Sequence, residues 1–290
     1  MILPDDFVRR MKNLLAGEYD AYERSLAAAP VRAVKVNTDK ISVENFVRNC
    51  PFALRPSGFS ADCFIVADDA KIGRTPFHHG GAIYVQEPGA MLPVIAAALK
   101  GGEAVLDLCA APGGKTVQAA GKARLVIAND IDYARAKILA GNVERMGLRN
   151  VAVCSARSEK LSRQFAGCFD VVIVDAPCSG EGMFRKESAA LSHWSEANVR
   201  GCAVRQREIL QSADQMLKEG GKLVYSTCTF STEENEEIVA YLVNQMGYEL
   251  CAPDAAVLPY SRSGVEIGGL NALNMRRVYP HDGVGEGQFF

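Results

Sequence analysis

The chain has 290 residues, 48% hydrophobic and 23% charged, with a formal net charge of −2. That length permits one large domain or two unequal ones, and the balance belongs to an ordinary globular protein. The charge leaves no overall basic footprint, so any contact with nucleic acid has to be made by local positive groups.

Met1-Ile2-Leu3-Pro4-Asp5-Asp6 lacks the basic segment and apolar run of a signal peptide. No stretch approaches the roughly 20 apolar residues that span a bilayer. The expected compartment is the cytoplasm, with no membrane partner. Over residues 4–28, Phe7, Val8, Met11, Leu14 and Leu15 recur at helical spacing with Arg9, Arg10 and Lys12 on other faces, which predicts one or two amphipathic helices. Val31 to Asn37 alternates as a strand does, and Ser42 is placed to cap a short helix. Pro51, Pro56, Gly58 and Gly73 punctuate short extended pieces. Residues 1–75 are expected to form a small α+β lobe.

A glycine-rich join at 77–83 leads through Tyr84-Val85-Gln86-Glu87-Pro88 into an apolar helix expected from Ala90 to Leu99. Beyond it, strands are predicted near 104–108, 125–129, 151–154, 170–174 and 221–226. Helices are predicted near 115–121, 132–146, 202–218 and 233–246. Such alternation means parallel strands joined by crossover helices, an α/β doubly wound sheet over 76–290. The tail, with Arg276-Arg277-Val278 and Gln288-Phe289-Phe290, reads as late strands folding back onto the sheet edge.

Three of these strands end in marked loops, and ligands collect at the carboxyl ends of strands in such sheets. The first is Cys109-Ala110-Ala111-Pro112-Gly113-Gly114-Lys115-Thr116. Glycines let backbone approach a ligand, and the following helix start offers free N–H groups. Gly114-Lys115-Thr116 imitates the end of a P-loop, but Cys109 occupies the position of its first glycine. The next strand ends in Asp130, placed to accept hydrogen bonds from ribose hydroxyls. Loop and acid together indicate an adenosine-bearing cofactor.

The other two loops are Asp175-Ala176-Pro177-Cys178-Ser179-Gly180 and Ser226-Thr227-Cys228-Thr229. The nine cysteines include no Cys-x-x-Cys pair and the four histidines do not cluster near them, which argues against a disulfide framework and a zinc site. Thiols on strand-end loops are instead open to activation. Carbon 5 of cytosine is a poor nucleophile; a thiolate added to carbon 6 makes it an enamine that attacks a methyl group. A carboxyl group at ring nitrogen 3 stabilises the adduct, and a base then removes the carbon 5 proton. Cys178, Cys228 and Asp175 supply those groups.

The stretch Leu106 to Thr116, Asp175 to Gly180 and Ser226 to Thr229 resemble the signature motifs of the Sun/NSUN family of RNA (cytosine-5) methyltransferases. Arg32-Ala33-Val34-Lys35-Val36-Asn37-Thr38 resembles its N-terminal motif. Tyr84 to Pro88, Gly182-Met183-Phe184-Arg185-Lys186 and Tyr279-Pro280-His281 with Gly285-Glu286-Gly287 are similar to the bacterial RsmF-like branch. The resemblance implies a Rossmann-like sheet and S-adenosylmethionine as cofactor, held by Cys109 to Lys115, Asp130 and Asp175. It makes Cys228 the nucleophile, where DNA cytosine methyltransferases use the position of Cys178, and leaves Cys178 as base or relay in release. Ser155 stands where family members often carry an aspartate for the adenine amino group. The chain stops at Phe290, where RsmF-like proteins usually continue into C-terminal RNA-binding domains.

The implied partner is RNA, ribosomal RNA of the small subunit first and transfer RNA as the alternative, bound by a monomer with no metal. The target cytosine has to be unstacked for the thiolate to reach it. Expected RNA contacts are Arg185 and Lys186 after the Cys178 loop, with Arg32 and Lys35 in the N-terminal lobe. Arg200 and Arg205 read as ordinary helix charges, and Trp194 as a packing residue.

Overall fold

Beyond residue 100, the alternation of short β-rich runs with helix-length segments becomes a parallel sheet in the computed structural model. The structure describes residues 2–67 and 71–290. The chain opens with helices α1 (Asp5–Leu15) and α2 (Tyr19–Ser25), joined by a tight 3-10 turn. Strand β1 (Arg32–Val36) follows, then α3 (Val43–Asn49), β2 (Leu54–Pro56), β3 (Cys63–Val66), α4 (Pro76–His79) and β4 (Ile83–Gln86). As expected, Ser42 caps α3, its hydroxyl accepting the Asn45 N–H at 3.2 Å. These strands form an antiparallel sheet in the order β2-β3-β1-β4. Its last strand lies beyond residue 75 and pairs Val34 with Val85.

The remaining elements are α5 (Leu92–Ala96), β5 (Ala104–Asp107), α6 (Gly114–Ala120), β6 (Leu125–Asn129), α7 (Tyr133–Met146), β7 (Val151–Cys154), α8 (Ser158–Gln164), β8 (Phe169–Asp175), α9 (Ser188–His193), α10 (Glu196–Met216), β9 (Leu217–Ser226) and α11 (Glu236–Met246). The five strands run parallel in the order β7-β6-β5-β8-β9. The order reverses direction beside β5, so the three marked loops emerge together at one end of β5, β8 and β9. Leu106, Val172, Val174, Leu210 and Phe289 pack one buried layer; Val105, Val126, Val171 and Ile173 pack another.

Some element boundaries differ from those expected, for local reasons. The helix expected over 90–99 is a 3-10 turn and a short α5, which closes before Ala98 takes a left-handed φ of 48°. Helix α10 starts six residues earlier than expected because the Ser195 hydroxyl caps it, accepting the Asn198 N–H at 3.1 Å. Helices α8 and α9 were not anticipated. The tail pairs with itself as β10 (Arg262–Ser263), β11 (Arg276–Val278) and β12 (Gln288–Phe289), a small antiparallel sheet. It touches the end of the main sheet where Phe289 bridges Thr227.

The N-terminal helices bury their apolar faces on the catalytic part of the chain. Phe7, Met11 and Tyr22 are buried against Phe184, Trp194, Phe230 and Tyr279. Phe7 meets Phe184 and Trp194 edge-on at 4.9 and 5.4 Å between ring centroids. Phe184 follows the Cys178 loop and Phe230 the Cys228 loop, so the start of the chain braces both. Among the described residues, no helix is long and apolar enough to cross a membrane.

Candidate active site

The turn after β5 is built from backbone. Leu108 N–H donates to Ile173 O across to β8, and Ala110 N–H donates to Asn129 O at 2.7 Å across to β6. Gly113 then takes φ +115°, a conformation closed to L side chains; a Cβ there would sit 3.0 Å from Leu139 Cδ1. Gly114 lies against Gln86, where a Cβ would come within 2.7 Å of the amide. The loop Cys109 to Lys115 therefore lies between β6 on one side and the Tyr84–Pro88 segment on the other.

Asp130, at the end of β6, is 3% exposed. Its carboxylate accepts the Ala111 N–H at 3.3 Å and the Asp132 N–H at 3.0 Å, with Arg135 at 3.6 Å. Thus it first closes the loop, and its remaining lone pairs are what a ligand hydroxyl has to use. Ser155 is exposed at the end of β7, with its hydroxyl on Ile131 O at 3.5 Å. Asp107 is fully buried at the end of β5. One of its oxygens accepts the Thr116 hydroxyl at 2.6 Å, and the other has no partner among the described residues. Burial pushes its carboxyl up to about 7.

The two cysteine loops converge. Cys178 follows β8, Cys228 follows the neighbouring β9, and their sulfurs are 3.4 Å apart. Contact with Cys228 and burial hold the Cys178 thiol well above its usual range, so it retains its proton. Asp175 sits at the junction of all three loops. It accepts the Ser226 hydroxyl at 2.6 Å and pairs with Lys115 Nζ at 2.8 Å, joining the cysteine strands to α6.

Buried side chains from other segments hold these loops. Glu234, fully buried, accepts the Ser179 N–H at 2.9 Å, the Ser179 hydroxyl, and Gln206 Nε2 at 2.9 Å. Burial raises its carboxyl to about 7. The Ser179 and Thr229 hydroxyls are 2.7 Å apart. Asn235 holds Thr227 Oγ1 at 2.6 Å and donates to Thr229 O at 3.0 Å. Glu181 accepts from Trp194 Nε1, the Phe230 N–H and the Ser231 hydroxyl at 2.7–2.8 Å. Glu236 is paired with Arg277 out of contact with water, Nε donating at 2.6 Å. Glu234, Asn235 and Glu236 fall at the start of the helix expected near 233–246. The one signal was their place six to eight residues after Cys228.

The expected RNA contacts separate into two kinds. Lys186 and Arg32 are exposed. Arg185 is turned inward instead: it donates to Glu286 at 2.7 Å and to Ser25 O and Ala28 O at the end of α2. Its guanidinium anchors the N-terminal helices, because a buried cation needs paired acceptors. Lys35 is taken up by Asp62 and is only 16% exposed. Trp194 is a packing residue with its N–H satisfied. Two segments far apart in sequence also meet, as Glu87 accepts the Glu286 N–H at 2.9 Å, leaving no room for a side chain at Gly285.

Residues 94–290 match the family model for the 16S rRNA methyltransferase RsmB/F, and residues 3–88 match that for the N-terminal domain of 16S rRNA methyltransferase RsmF. The chain is 37% identical to the ribosomal RNA small subunit methyltransferase F of Erwinia tasmaniensis, over 84% of this chain and 54% of the relative. It has the same identity and coverage with the protein of that name from Vibrio parahaemolyticus. The chain thus spans about half the length of these curated relatives. A methyltransferase homologue from Pyrococcus horikoshii superposes with a TM-score of 0.85 at 29% identity, covering 98% of this chain and 92% of that one. NSun6 from the same organism, solved with SFG, has the same fold, with a TM-score of 0.83 at 21% identity, over 99% and 96%.

Proposed function

This chain belongs to the RsmB/F family of 16S rRNA methyltransferases, and from that premise we propose that it forms 5-methylcytosine in small-subunit ribosomal RNA. S-adenosylmethionine supplies the electrophilic methyl group. The residues fit such a cofactor: a Gly-Gly turn follows β5, one Asp107 oxygen beside it has no partner among the described residues, and the Asp130 carboxylate closes the turn at the end of the next strand. Cys109 to Lys115 and Asp130 are the residues that hold it, with Ser155 at the rim.

The observation that carries this reading is the pair of sulfurs 3.4 Å apart, on the loops whose strands Asp175 ties together through Ser226. Cys228, as thiolate, forms a bond to carbon 6 of an unstacked cytosine, which makes carbon 5 nucleophilic. Asp175, steadied by Lys115 and Ser226, shares a proton with ring nitrogen 3. Once carbon 5 carries its methyl group, Cys178 gives up its own thiol proton to solvent and, as thiolate, takes the proton of carbon 5, serving as base or relay. The carbon 6–sulfur bond then breaks and Cys228 departs with the electron pair. The net exchange is one proton for one methyl group.

Lys186 and Arg32, exposed at the surface, are the proposed phosphate contacts, with the lobe ending near Gln86 as the RNA-binding extension. The same reading places the protein in the cytoplasm as a monomer. Small-subunit ribosomal RNA tritiated at carbon 5 of cytosine tests the function. The expected result is tritium release that depends on S-adenosylmethionine and exceeds release from transfer RNA. Cofactor-dependent methylation of RNA without tritium release would move the chemistry to another atom and overturn the proposal.

A further inference from the structure

Cys178 and Cys228 lie on different strands, 50 residues apart in sequence, yet their sulfurs touch. The residues immediately after them explain the spacing. Ser179 and Thr229 share a hydroxyl–hydroxyl hydrogen bond at 2.7 Å. Ser179 is in turn gripped at both its N–H and its hydroxyl by one carboxyl group, Glu234. Gln206 Nε2 fixes that carboxyl from α10, while also donating to Pro177 O at 3.0 Å, one residue before Cys178. The Tyr225 hydroxyl holds the Glu234 backbone carbonyl from β9 at 2.6 Å. One buried side chain therefore locks the residue after Cys178 to the residue after Cys228.

We propose that Glu234 is a positioning residue that acts through Ser179 and Thr229 to hold Cys178 within reach of the Cys228 adduct. It touches neither cytosine nor cofactor. The inference rests on the assignment of the two thiols above and adds a residue that sets their distance. Two hydroxyls in series let the network survive a change of charge. With Glu234 ionised, Thr229 donates to Ser179 and Ser179 to the carboxylate. With Glu234 neutral, the carboxyl donates to Ser179 and Ser179 to Thr229. Glutamine at 234 can adopt the second pattern, with its carbonyl accepting from Ser179 N–H and Gln206 and its amide donating to the Ser179 hydroxyl. Alanine can adopt neither. A separate tie, Gly182 N–H to Cys228 O at 2.9 Å, remains when Glu234 is removed. The alanine variant thus loosens the thiols without separating the loops.

The test compares wild type, Glu234→Ala, Glu234→Gln and Cys178→Ala with ribosomal RNA and S-adenosylmethionine, following a denaturant-resistant protein–RNA band over time. Displacing a reacting group by about 1 Å costs on the order of 100-fold. Glu234→Ala is expected to form the adduct and release it about 100-fold more slowly, as Cys178→Ala does; Glu234→Gln is expected to restore release. Loss of adduct formation in step with release, together with a lowered melting temperature, would reduce Glu234 to a structural residue and overturn the proposal. A second arm needs no RNA. Diamide oxidises two neighbouring thiols to a disulfide and is itself reduced to the hydrazine, so its closure of Cys178 to Cys228, read by peptide mapping, reports their spacing. Closure is expected to be on the order of 100-fold slower in Glu234→Ala than in wild type or Glu234→Gln, for the same displacement of about 1 Å. Equal rates would overturn the proposal. If Cys178→Ala also gave no adduct, the RNA assignment would fail while the diamide arm still decided Glu234.

Discussion

The cofactor turn and the thiol loops lie side by side at one end of the sheet, but they are held in different ways. The turn from Cys109 to Lys115 is fixed mainly by backbone, through hydrogen bonds to flanking strands and two glycines at positions without room for a side chain. The thiol loops are fixed by buried side chains reaching from afar: Glu234 to Ser179, Glu181 to Phe230, Arg277 to Glu236. The first arrangement rests mostly on backbone, with the Asp130 carboxylate and the Lys115–Asp175 pair added to it. The second depends on ionisable groups kept out of water, where removing one partner is far more damaging than never having had the pair.

Breaking a clamp gives the largest expected effect. Arg277→Ala leaves the Glu236 carboxylate buried and unpaired, and is expected to cost about 3–5 kcal/mol in denaturant unfolding. Arg185→Ala, which strands Glu286 and releases the end of α2, is expected to behave alike. A loss under about 1 kcal/mol in either would mean that the clamps are not what holds the loops.

The turn is the converse case. Gly113→Ala forces an alanine to φ +115°, a cost of about 1–3 kcal/mol. It is expected to weaken cofactor binding by calorimetry while leaving diamide closure of the two thiols at the wild-type rate. Slowed closure would show that the two regions are one mechanical unit.

Acidity sharpens the contrast. Glu234 has its carboxyl raised to about 7 in the folded protein from an ordinary 4.5. Below pH 4.5 both folded and unfolded chains hold that proton, and the contribution to stability is complete. As the pH climbs toward 7 the unfolded chain gives it up first, so stability falls with rising pH across that window. Glu234→Gln is expected to flatten this part of the melting profile by a few degrees, each kcal/mol being worth about 2–4 °C in a chain of this size class. A profile identical to wild type would place the charge elsewhere.

The smallest effect separates surface from clamp among the basic residues. Lys186→Ala and Arg32→Ala are expected to leave the melting temperature alone and each reduce the salt slope of RNA binding by about 1. An unchanged slope would remove that residue from the RNA surface.

The same division explains what could be read in advance. The strand–helix alternation, the glycine turn and the cysteine ends of β8 and β9 are local patterns, and they stand in the sequence as they stand in the fold. Arg185 was read as a phosphate contact because it follows the Cys178 loop, but its acceptor, Glu286, lies 101 residues away. Glu234, Asn235 and Glu236 look like the polar first turn of a helix, and only folding brings Ser179, Thr227 and Arg277 against them. Residues 68–70, within the expected N-terminal lobe, lie outside the described residues.

The most direct test of the two-thiol account is the covalent trap in the single-cysteine variants. Ribosomal RNA and S-adenosylmethionine are mixed with Cys178→Ala and with Cys228→Ala, and a denaturant-resistant protein–RNA band is sought. The account predicts a band that accumulates with Cys178→Ala and is absent with Cys228→Ala. The reverse pattern would make Cys178 the nucleophile and contradict it.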